Sequence, residues 1–329
     1  MIKTVILTPA QEVWANRILG GKVRASLLAG DASFRRYFRV AIKGQTFIFM
    51  DSPPPEDLSH FLAARRFFEQ GGVSVPSLIA ADEKRHWALL EDFGDAVYND
   101  AVKRGDDVQS LYTAAWRALI LMQKLPLNFS PLYDARLLHN EMELFAEWHC
   151  EHYLQMPLQG AELRDFAAAA AWLSEEMQAQ PQVVVHRDFH SRNLMRIATA
   201  RNPGVLDFQD TVIGAAAYDM VSLLRDAYLA WPAAQQKKWL QAYWREATAA
   251  GVPLPPTFAQ FWRDFNIAGA QRGLKVLGIF ARLWGRDGKR RYLQDMPLVR
   301  RHLFAACRAL PELRALQAIL RRRPLPPCK

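Results

Sequence analysis

Long apolar runs are missing from this sequence. No stretch approaches the roughly 18 uninterrupted apolar residues of a membrane span, although 50 % of the 329 residues are hydrophobic and can fill a sizeable interior. Cysteine is scarce. Cys150, Cys307 and Cys328 are odd in number, scattered and without metal-ligand spacing, which argues against a disulfide framework and fits unpaired thiols in a reducing cytoplasm. The opening MIKTVILTPAQEVW has one lysine and a run of three apolar residues, too short for a secretory signal. No G-x-x-x-x-G-K-[ST] string occurs, so a P-loop fold is excluded, and the G-x-G-x-x-G of protein kinases is also missing. There is no internal repeat and no low-complexity tract beyond Ala167–Ala171, a run of good helix formers.

Acid is in modest supply, 33 Asp and Glu against 42 Lys and Arg, and the imbalance is local. Arg286–Lys329 holds 12 of the basic and 3 of the acidic residues, so the rest of the chain is balanced. A basic segment ending RRRPLPPCK invites nucleic acid or anionic lipid. It lacks interleaved aromatics, however, and 297–323 reads as two ordinary amphipathic helices. A solvated basic face is the expectation, with no nucleic-acid and no membrane partner.

What is present is a catalytic string. His186 to Asn193 read HRDFHSRN, led in by Val183, Val184 and Val185, and Gly204 to Asp207 read GVLD. Leu194–Ile197 and Val205–Phe208 read as short strands joined by a turn containing Asn202, Pro203 and Gly204. Asp188 and Asn193 therefore sit on a loop before a hairpin, and Asp207 at its end. Phosphoryl transfer uses such a set: one carboxylate takes the acceptor proton, while an amide oxygen and a second carboxylate hold Mg²⁺ against the phosphates. H-R-D-four residues-N alone is moderately specific; the hairpin and following aspartate make it strong. Asp188 is the candidate base, and Asn193 and Asp207 are the metal ligands. The bland reading of Asp188, a turn cap, leaves that spacing unexplained. His186 reads as a loop-bonding residue and Asp210 as a turn cap.

The periodicity divides the chain into a β-rich nucleotide-binding lobe, 1–93, and a mainly helical catalytic and substrate lobe, 94–329. This is an α+β, protein-kinase-like two-lobe layout with nucleotide held between the lobes. In the first lobe, Phe34–Ile42 and Gln45–Met50 form a hairpin about Lys43-Gly44. Asp57 caps a helix to about Gln70, and Val73–Ala80 and His86–Glu91 are extended. In the second, Asp106 or Asp107 caps a helix whose Leu111, Ala115, Leu119 and Met122 share a face. Further helices are expected near 136–154, 160–178, 217–230, 232–249, 257–284, 297–309 and 311–322.

Nucleotide contacts are fainter. Gly30-Asp31-Ala32-Ser33-Phe34-Arg35-Arg36 precedes the first predicted strand, where Gly30, Ser33 and Arg35 suit a phosphate-cradling loop; a plain turn is nearly as good a reading. Leu89, Leu90, Glu91 and Phe93 form the expected link between lobes, with backbone for the adenine edge and an apolar slot. Asp92-Phe93-Gly94 imitates a kinase metal motif but precedes the catalytic loop, so it is a decoy. His186, Asp188 and His190 also suggest a zinc hydrolase, which would leave Asn193 and Asp207 without a role. His149 and His152 share a helix face and read as surface polarity.

The HRDFHSRN and GVLDFQD segments resemble the aminoglycoside phosphotransferase superfamily. LAGDASFRRYFRV, FMDSPPPED, LLEDFGD, VLDFQDTVIGAAAYDMVSLLRDAY and QRGLKVLGIFARLW…RDGK look like the anomeric N-acetylmuramate/N-acetylglucosamine kinases of bacterial cell-wall recycling, over nearly the full length. The resemblance implies ATP and Mg²⁺ as cofactors, an amino-sugar C1 hydroxyl as acceptor, Asp188 as base, and Asn193 and Asp207 as metal ligands; a cytoplasmic monomer is expected. One departure matters: Phe49 or Met50 stands where kinases place a phosphate-binding lysine, and the next helix has no central glutamate. Arg35, Arg36 or Arg39 supplies the charge, or the chain is a non-catalytic pseudokinase; retention of Asp188, Asn193 and Asp207 argues against the latter. Glu141, Glu147, Trp148, Arg225, Asp226, Arg272 and Lys275 are the candidate acceptor wall, each more often a surface ion pair when taken singly. Arg272 and Lys275 suit a lactyl carboxylate. Aminoglycosides, being polycations, would want an acidic pocket that this composition does not favour.

Overall fold

The computed structural model describes residues 7–28, 34–198 and 201–326. Gly30, Ser33 and Cys328 lie outside them. The chain forms two compact units: the first runs to Val97 and takes in Met195–Gln209, and the second comprises Tyr98–Leu194 and Asp210 onward.

The first unit is a five-stranded antiparallel sheet with two helices. The strands are β1 (Arg24–Leu27), β2 (Arg36–Ile42), β3 (Gln45–Asp51), β4 (Leu78–Asp82) and β5 (Trp87–Glu91), in the order β1-β2-β3-β5-β4. The β2–β3 hairpin turns on Lys43 and Gly44, both at positive φ (50° and 79°). That pair of left-handed residues matches the twist of the flanking strands. Phe38, Val40, Phe49, Trp87 and Leu89 are buried in one cluster with Trp14, whose ring meets Phe49 edge-on at 5.7 Å.

Trp14 comes from α1 (Pro9–Leu19), a helix that strand signals alone did not announce. It starts with a reciprocal capping box between Thr8 and Gln11 and ends at Gly20. β1 was also unanticipated: its four residues, RASL, are mostly exposed and include no β-branched or aromatic residue. The second helix, α2 (Leu58–Gln70), is capped by Asp57, which accepts the His60 N–H. The extended segment expected over Val73–Ala80 becomes a strand only from Leu78; Pro76 cannot donate to a ladder.

The second unit is helical. Its elements are α3 (Tyr98–Lys103), α4 (Val108–Gln123), α5 (Ala135–Leu144), α6 (Ala161–Ala179), α7 (Tyr218–Leu224), α8 (Ala233–Ala249), α9 (Phe258–Gly285), α10 (Met296–Ala309) and α11 (Arg314–Arg322). β6 (Gln182–Val185) pairs antiparallel with β9 (Val212–Ala215). Between them in sequence, but falling in the first unit from Met195 on, β7 (Leu194–Met195) pairs with β8 (Gly204–Val205), a shorter hairpin than expected, with Gly204 in a strand instead of the turn. The helix expected over 217–230 stops at Leu224, because Arg225 leaves helical geometry and the Asp226 carboxylate takes the Tyr228 N–H at 2.9 Å.

The 28-residue α9, about 42 Å long, is buried through its middle. It packs against the end of α5 so closely that a Cβ on Gly278 would lie 2.4 Å from the Leu144 carbonyl carbon. From there the chain continues as a wide π-helical segment, Phe145–Tyr153. One expectation fails here, and one in the tail holds only in part. His149 is not surface polarity: it is buried, its ring stacked on Phe145 at 5.0 Å. The basic tail is not uniformly solvated either. Arg323 is buried and donates to the Met156 carbonyl (3.0 Å) and Glu162 (2.5 Å), and Arg300 donates to the Leu320 carbonyl at 2.6 Å. Among the described residues no helix is long and apolar enough to cross a membrane.

Candidate active site

β6 delivers the chain into the His186–Asn193 loop, which is shaped by two buried aspartates. Arg187 has φ +75°, a left-handed conformation that costs a non-glycine residue of order 1 kcal/mol or more. It is held there by Asp219, in the first turn of α7, whose carboxylate accepts the His186 N–H (2.7 Å) and the Arg187 N–H (3.0 Å). Ser222 Oγ donates to the Arg187 carbonyl at 3.3 Å. Burial pushes Asp219 up to about 7 against those two N–H bonds, and the nearby Asp188 charge adds to the rise. Further along, the Asp226 carboxylate accepts the Ser191 N–H at 3.0 Å. The Asn193 amide N–H donates to the Asp188 carbonyl at 3.0 Å, which leaves Asn193 Oδ1 with no protein partner among the described residues.

Asp188 lies in a cationic surround. Arg272, on α9, brings Nη2 to 3.9 Å from Asp188 Oδ1, with the aspartate side chain still 45 % exposed and the arginine 6 %. Enclosure raises the Asp188 carboxyl, but Lys275, His190, Arg272 and Arg187 outweigh it and hold the group well below the usual carboxylate range. Beneath this surround is Glu141 on α5, buried. It accepts from Arg187 Nη2 at 2.5 Å, from Lys275 Nζ at 3.0 Å and from Gln271 Nε2 at 3.2 Å, and from the Tyr133 hydroxyl. Burial raises Glu141, and the charges of Lys275 and Arg187 more than reverse that. Arg187, Arg272 and Lys275 match the carboxylates Asp188, Glu141 and Asp219 in number, and the upward shift of Asp219 tips the region around Asp188 toward positive charge.

The first unit carries Asp207, at φ +60°, its Oδ1 accepting from Gln209 Nε2 at 2.8 Å. Phe208 packs on Phe61 and Phe68 of α2 at 5.2 and 5.9 Å, which anchors the segment. The half-buried Tyr37 hydroxyl is lifted to about 12, by loss of solvent first, with the charges of Arg35, Asp207 and Glu56 also acting on it. Arg35 is ion-paired with Glu56 at 2.9 Å, Arg36 with Asp51, and Arg39 with Asp92 and Asp95 at 2.6 and 2.7 Å. Leu89 and Leu90 are buried strand residues opposite Phe49 and Ile48. Glu91 takes the Ser77 N–H and hydroxyl at 3.1 and 2.8 Å. The Phe93 ring is the near neighbour of Gly204, where a Cβ would stand 2.5 Å from it. Among the described residues no cluster of three or more His, Cys, Asp or Glu could hold a metal, so nothing here assembles a zinc site.

The candidate acceptor wall separates on inspection. Arg272 and Lys275 stand by Asp188, although Lys275 is committed to Glu141. Asp226 is spent on the backbone of Ser191 and Tyr228. Arg225 is buried, donates to Asn266 Oδ1 at 2.7 Å, and lines a cavity of about 370 Å³ with Trp231, Trp262 and His302 that Asp188 does not line. Glu147 is exposed on the π-helical segment. Sequence reasoning missed Arg187 and Asp219 as loop-shaping groups. Their only signal was a fully apolar segment, Val212–Ala217, running into an acidic helix start at Tyr218-Asp219.

Comparison with known proteins places these features in a family. Residues 24–261 match the model of the APH phosphotransferase enzyme family. The chain is 41 % identical over 305 residues to an N-acetylmuramate/N-acetylglucosamine kinase of Pseudomonas putida, covering 91 % of this chain and 89 % of that one. It is 38 % identical to a kinase of the same name from Neisseria meningitidis, over 89 % and 88 % of the two chains. The fold is that of the choline kinase LicA from Streptococcus pneumoniae, with a TM-score of 0.62 over 91 % of this chain and 100 % of that one at 9 % identity. An α+β, protein-kinase-like fold and near full-length kinship lead to one conclusion: the chain belongs to the APH phosphotransferase enzyme family.

Proposed function

We propose that this protein is an ATP- and Mg²⁺-dependent sugar kinase. In this reading it phosphorylates the anomeric hydroxyl of N-acetylmuramate, N-acetylglucosamine or both, for peptidoglycan recycling in the cytoplasm, and acts as a monomer. The observation that carries the reading is kinship over nine-tenths of the chain with kinases named for those sugars. The 1–93 lobe is proposed to bind nucleotide and the 94–329 lobe the acceptor, with Asp188 as base and Asn193 and Asp207 toward the metal.

The chemistry around Asp188 supports the choice of acceptor. A carboxylate held ionised by neighbouring cations is a weak proton acceptor; it orients a hydroxyl and takes its proton late in a loose transition state. An anomeric hydroxyl, acidified by the ring oxygen, suits such a base better than an ordinary alcohol. A surround tipped toward positive charge disfavours a polycationic aminoglycoside and tolerates a neutral or anionic amino sugar. Hard-oxygen donors suit Mg²⁺; Asn193 Oδ1, without a partner among the described residues, and the Asp207 carboxylate are the groups that would hold it. Bound there, the ion would neutralise charge on the transferring phosphates.

The test is ADP release measured over N-acetylmuramate, N-acetylglucosamine, un-acetylated amino sugars and aminoglycosides. Release is expected with the N-acetylated sugars alone. Activity confined to aminoglycosides, or nucleotide binding with no sugar-dependent release, would refute the reading.

A further inference from the structure

In protein kinases a lysine on the third strand of the small lobe grips the nucleotide phosphates, held by a glutamate from the helix that follows. Neither stands in its place here. On β3, Phe49 and Met50 are both fully buried, Phe49 among Trp14, Phe38 and Trp87. On α2 the sole glutamate, Glu69, lies in the last turn and is bound by both terminal nitrogens of Arg65 at 2.9 Å.

Three arginines on and before β2 are the available cations, and their surroundings separate them. Arg39 is locked by Asp92, Asp95 and the Gly94 carbonyl, with contacts of 2.6–3.1 Å. Arg36 reaches Asp51, which also accepts from Gln11 of α1 at 3.0 Å, so that pair belongs to the α1 side of the sheet. Arg35 pairs with Glu56 at 2.9 Å, the two side chains only 7 % and 18 % exposed. Glu56 directly precedes Asp57, the cap of α2, and also accepts the Phe34 N–H at 3.2 Å. The Arg35 guanidinium lies 5.8 Å from the Phe61 ring, and Phe61 packs at 5.2 Å on Phe208, the residue after Asp207. Tyr37 feels Arg35, Glu56 and Asp207 together. This ion pair is therefore the one on the Asp207 side.

We propose that Arg35 and Glu56 replace the missing lysine–glutamate pair. Arg35 is the cation that binds the nucleotide phosphates, and Glu56, at the approach to α2, is its positioning residue. A guanidinium has five N–H donors in a planar fork, so it can hold a carboxylate and a phosphate together, which an ammonium does less well. Moving the pair from mid-strand and mid-helix to the two segment starts leaves the middle of β3, Phe47 to Met50, apolar. The assignment rests on the kinase reading above.

The experiment compares Arg35→Ala, Arg35→Lys, Glu56→Gln, Arg36→Ala and Arg39→Ala, with the exposed Arg66→Ala as control. It reads ATP kinetics at saturating sugar and affinity for a fluorescent ATP analogue without sugar, with melting curves to certify folding. Arg35→Ala is expected to lose about 10²-fold in kcat/KM for ATP with the sugar KM unchanged. Arg35→Lys should recover much of that, and Glu56→Gln should raise the ATP KM by roughly tenfold with little change in kcat. If Arg35→Ala fails to fold, the lysine and glutamine variants still decide. ATP kinetics of folded Arg35 and Glu56 variants within threefold of the parent would overturn the proposal, as would the same nucleotide defect from Arg36→Ala or Arg39→Ala alone. Should the parent show no sugar-dependent turnover, the kinase reading fails by itself, while the analogue affinities still judge the pair.

Discussion

Asp188 sits where a carboxylate cannot easily be protonated, with Arg272 at 3.9 Å and Lys275 and Arg187 beyond. In the proposed mechanism its value is then alignment of the acceptor more than storage of a proton. Replacing it by asparagine keeps the shape and removes the charge. We expect Asp188→Asn to fold and bind ATP as the parent does, while turnover falls roughly 10²–10⁴-fold; steady-state ADP release together with a nucleotide titration measures both. Turnover within a few-fold of the parent would remove Asp188 from the mechanism. Its place on a loop before a hairpin was legible in the sequence because the neighbours are local: Asn193 and the β7–β8 hairpin follow within one short segment. Glu141 was not legible in its real role. It meets Arg187 across 46 residues and Gln271 across 130, and no spacing rule connects positions that only the folded helices bring together.

At the level of elements, caps and turns were readable where their chemistry is local. Asp57, Asp107 and Lys43-Gly44 mark boundaries that the structure keeps. β1 and α1 were not, because one is four residues long without a β-branched or aromatic side chain and the other has an ordinary mixed composition. The π-helical widening at Phe145–Tyr153 was invisible for a different reason: it answers the close approach of α9 at Gly278, a tertiary fact.

That segment makes a prediction about pH. Burial holds His149 down at about 3, the Arg300 charge adding to the effect, whereas an unfolded histidine titrates near 6.5. The unfolded state therefore binds more protons between those values, and stability must fall as pH drops from about 6.5 toward 3. His302 behaves alike, depressed to about 3 by burial and by Arg225, Arg301 and Arg272. His149→Phe keeps the stacked ring and removes the titration. It should lose roughly 1–2 kcal/mol less than the parent between about pH 6.5 and 5, read from urea unfolding at a series of pH values. Parallel pH profiles for parent and variant would contradict this.

Across the whole molecule, a β-rich unit and a helical unit were readable from the change of periodicity near residue 100. The assignment of Met195–Gln209 to the first unit was not readable. A hairpin of two-residue strands has too little pattern of its own, and Phe208 joins the first unit by packing on α2. The central claim is larger than any element: that this phosphotransferase acts on an anomeric hydroxyl. The most direct measurement offers the protein N-acetylglucosamine or N-acetylmuramate and, in parallel, the corresponding methyl glycoside, following ADP release and the reducing end of the sugar. The free sugars should be phosphorylated with loss of the reducing end and give an acid-labile phosphate, while the methyl glycosides, blocked at C1, should yield nothing. Phosphorylation of a methyl glycoside at a rate close to that of the free sugar would place the phosphate on another hydroxyl and contradict the claim.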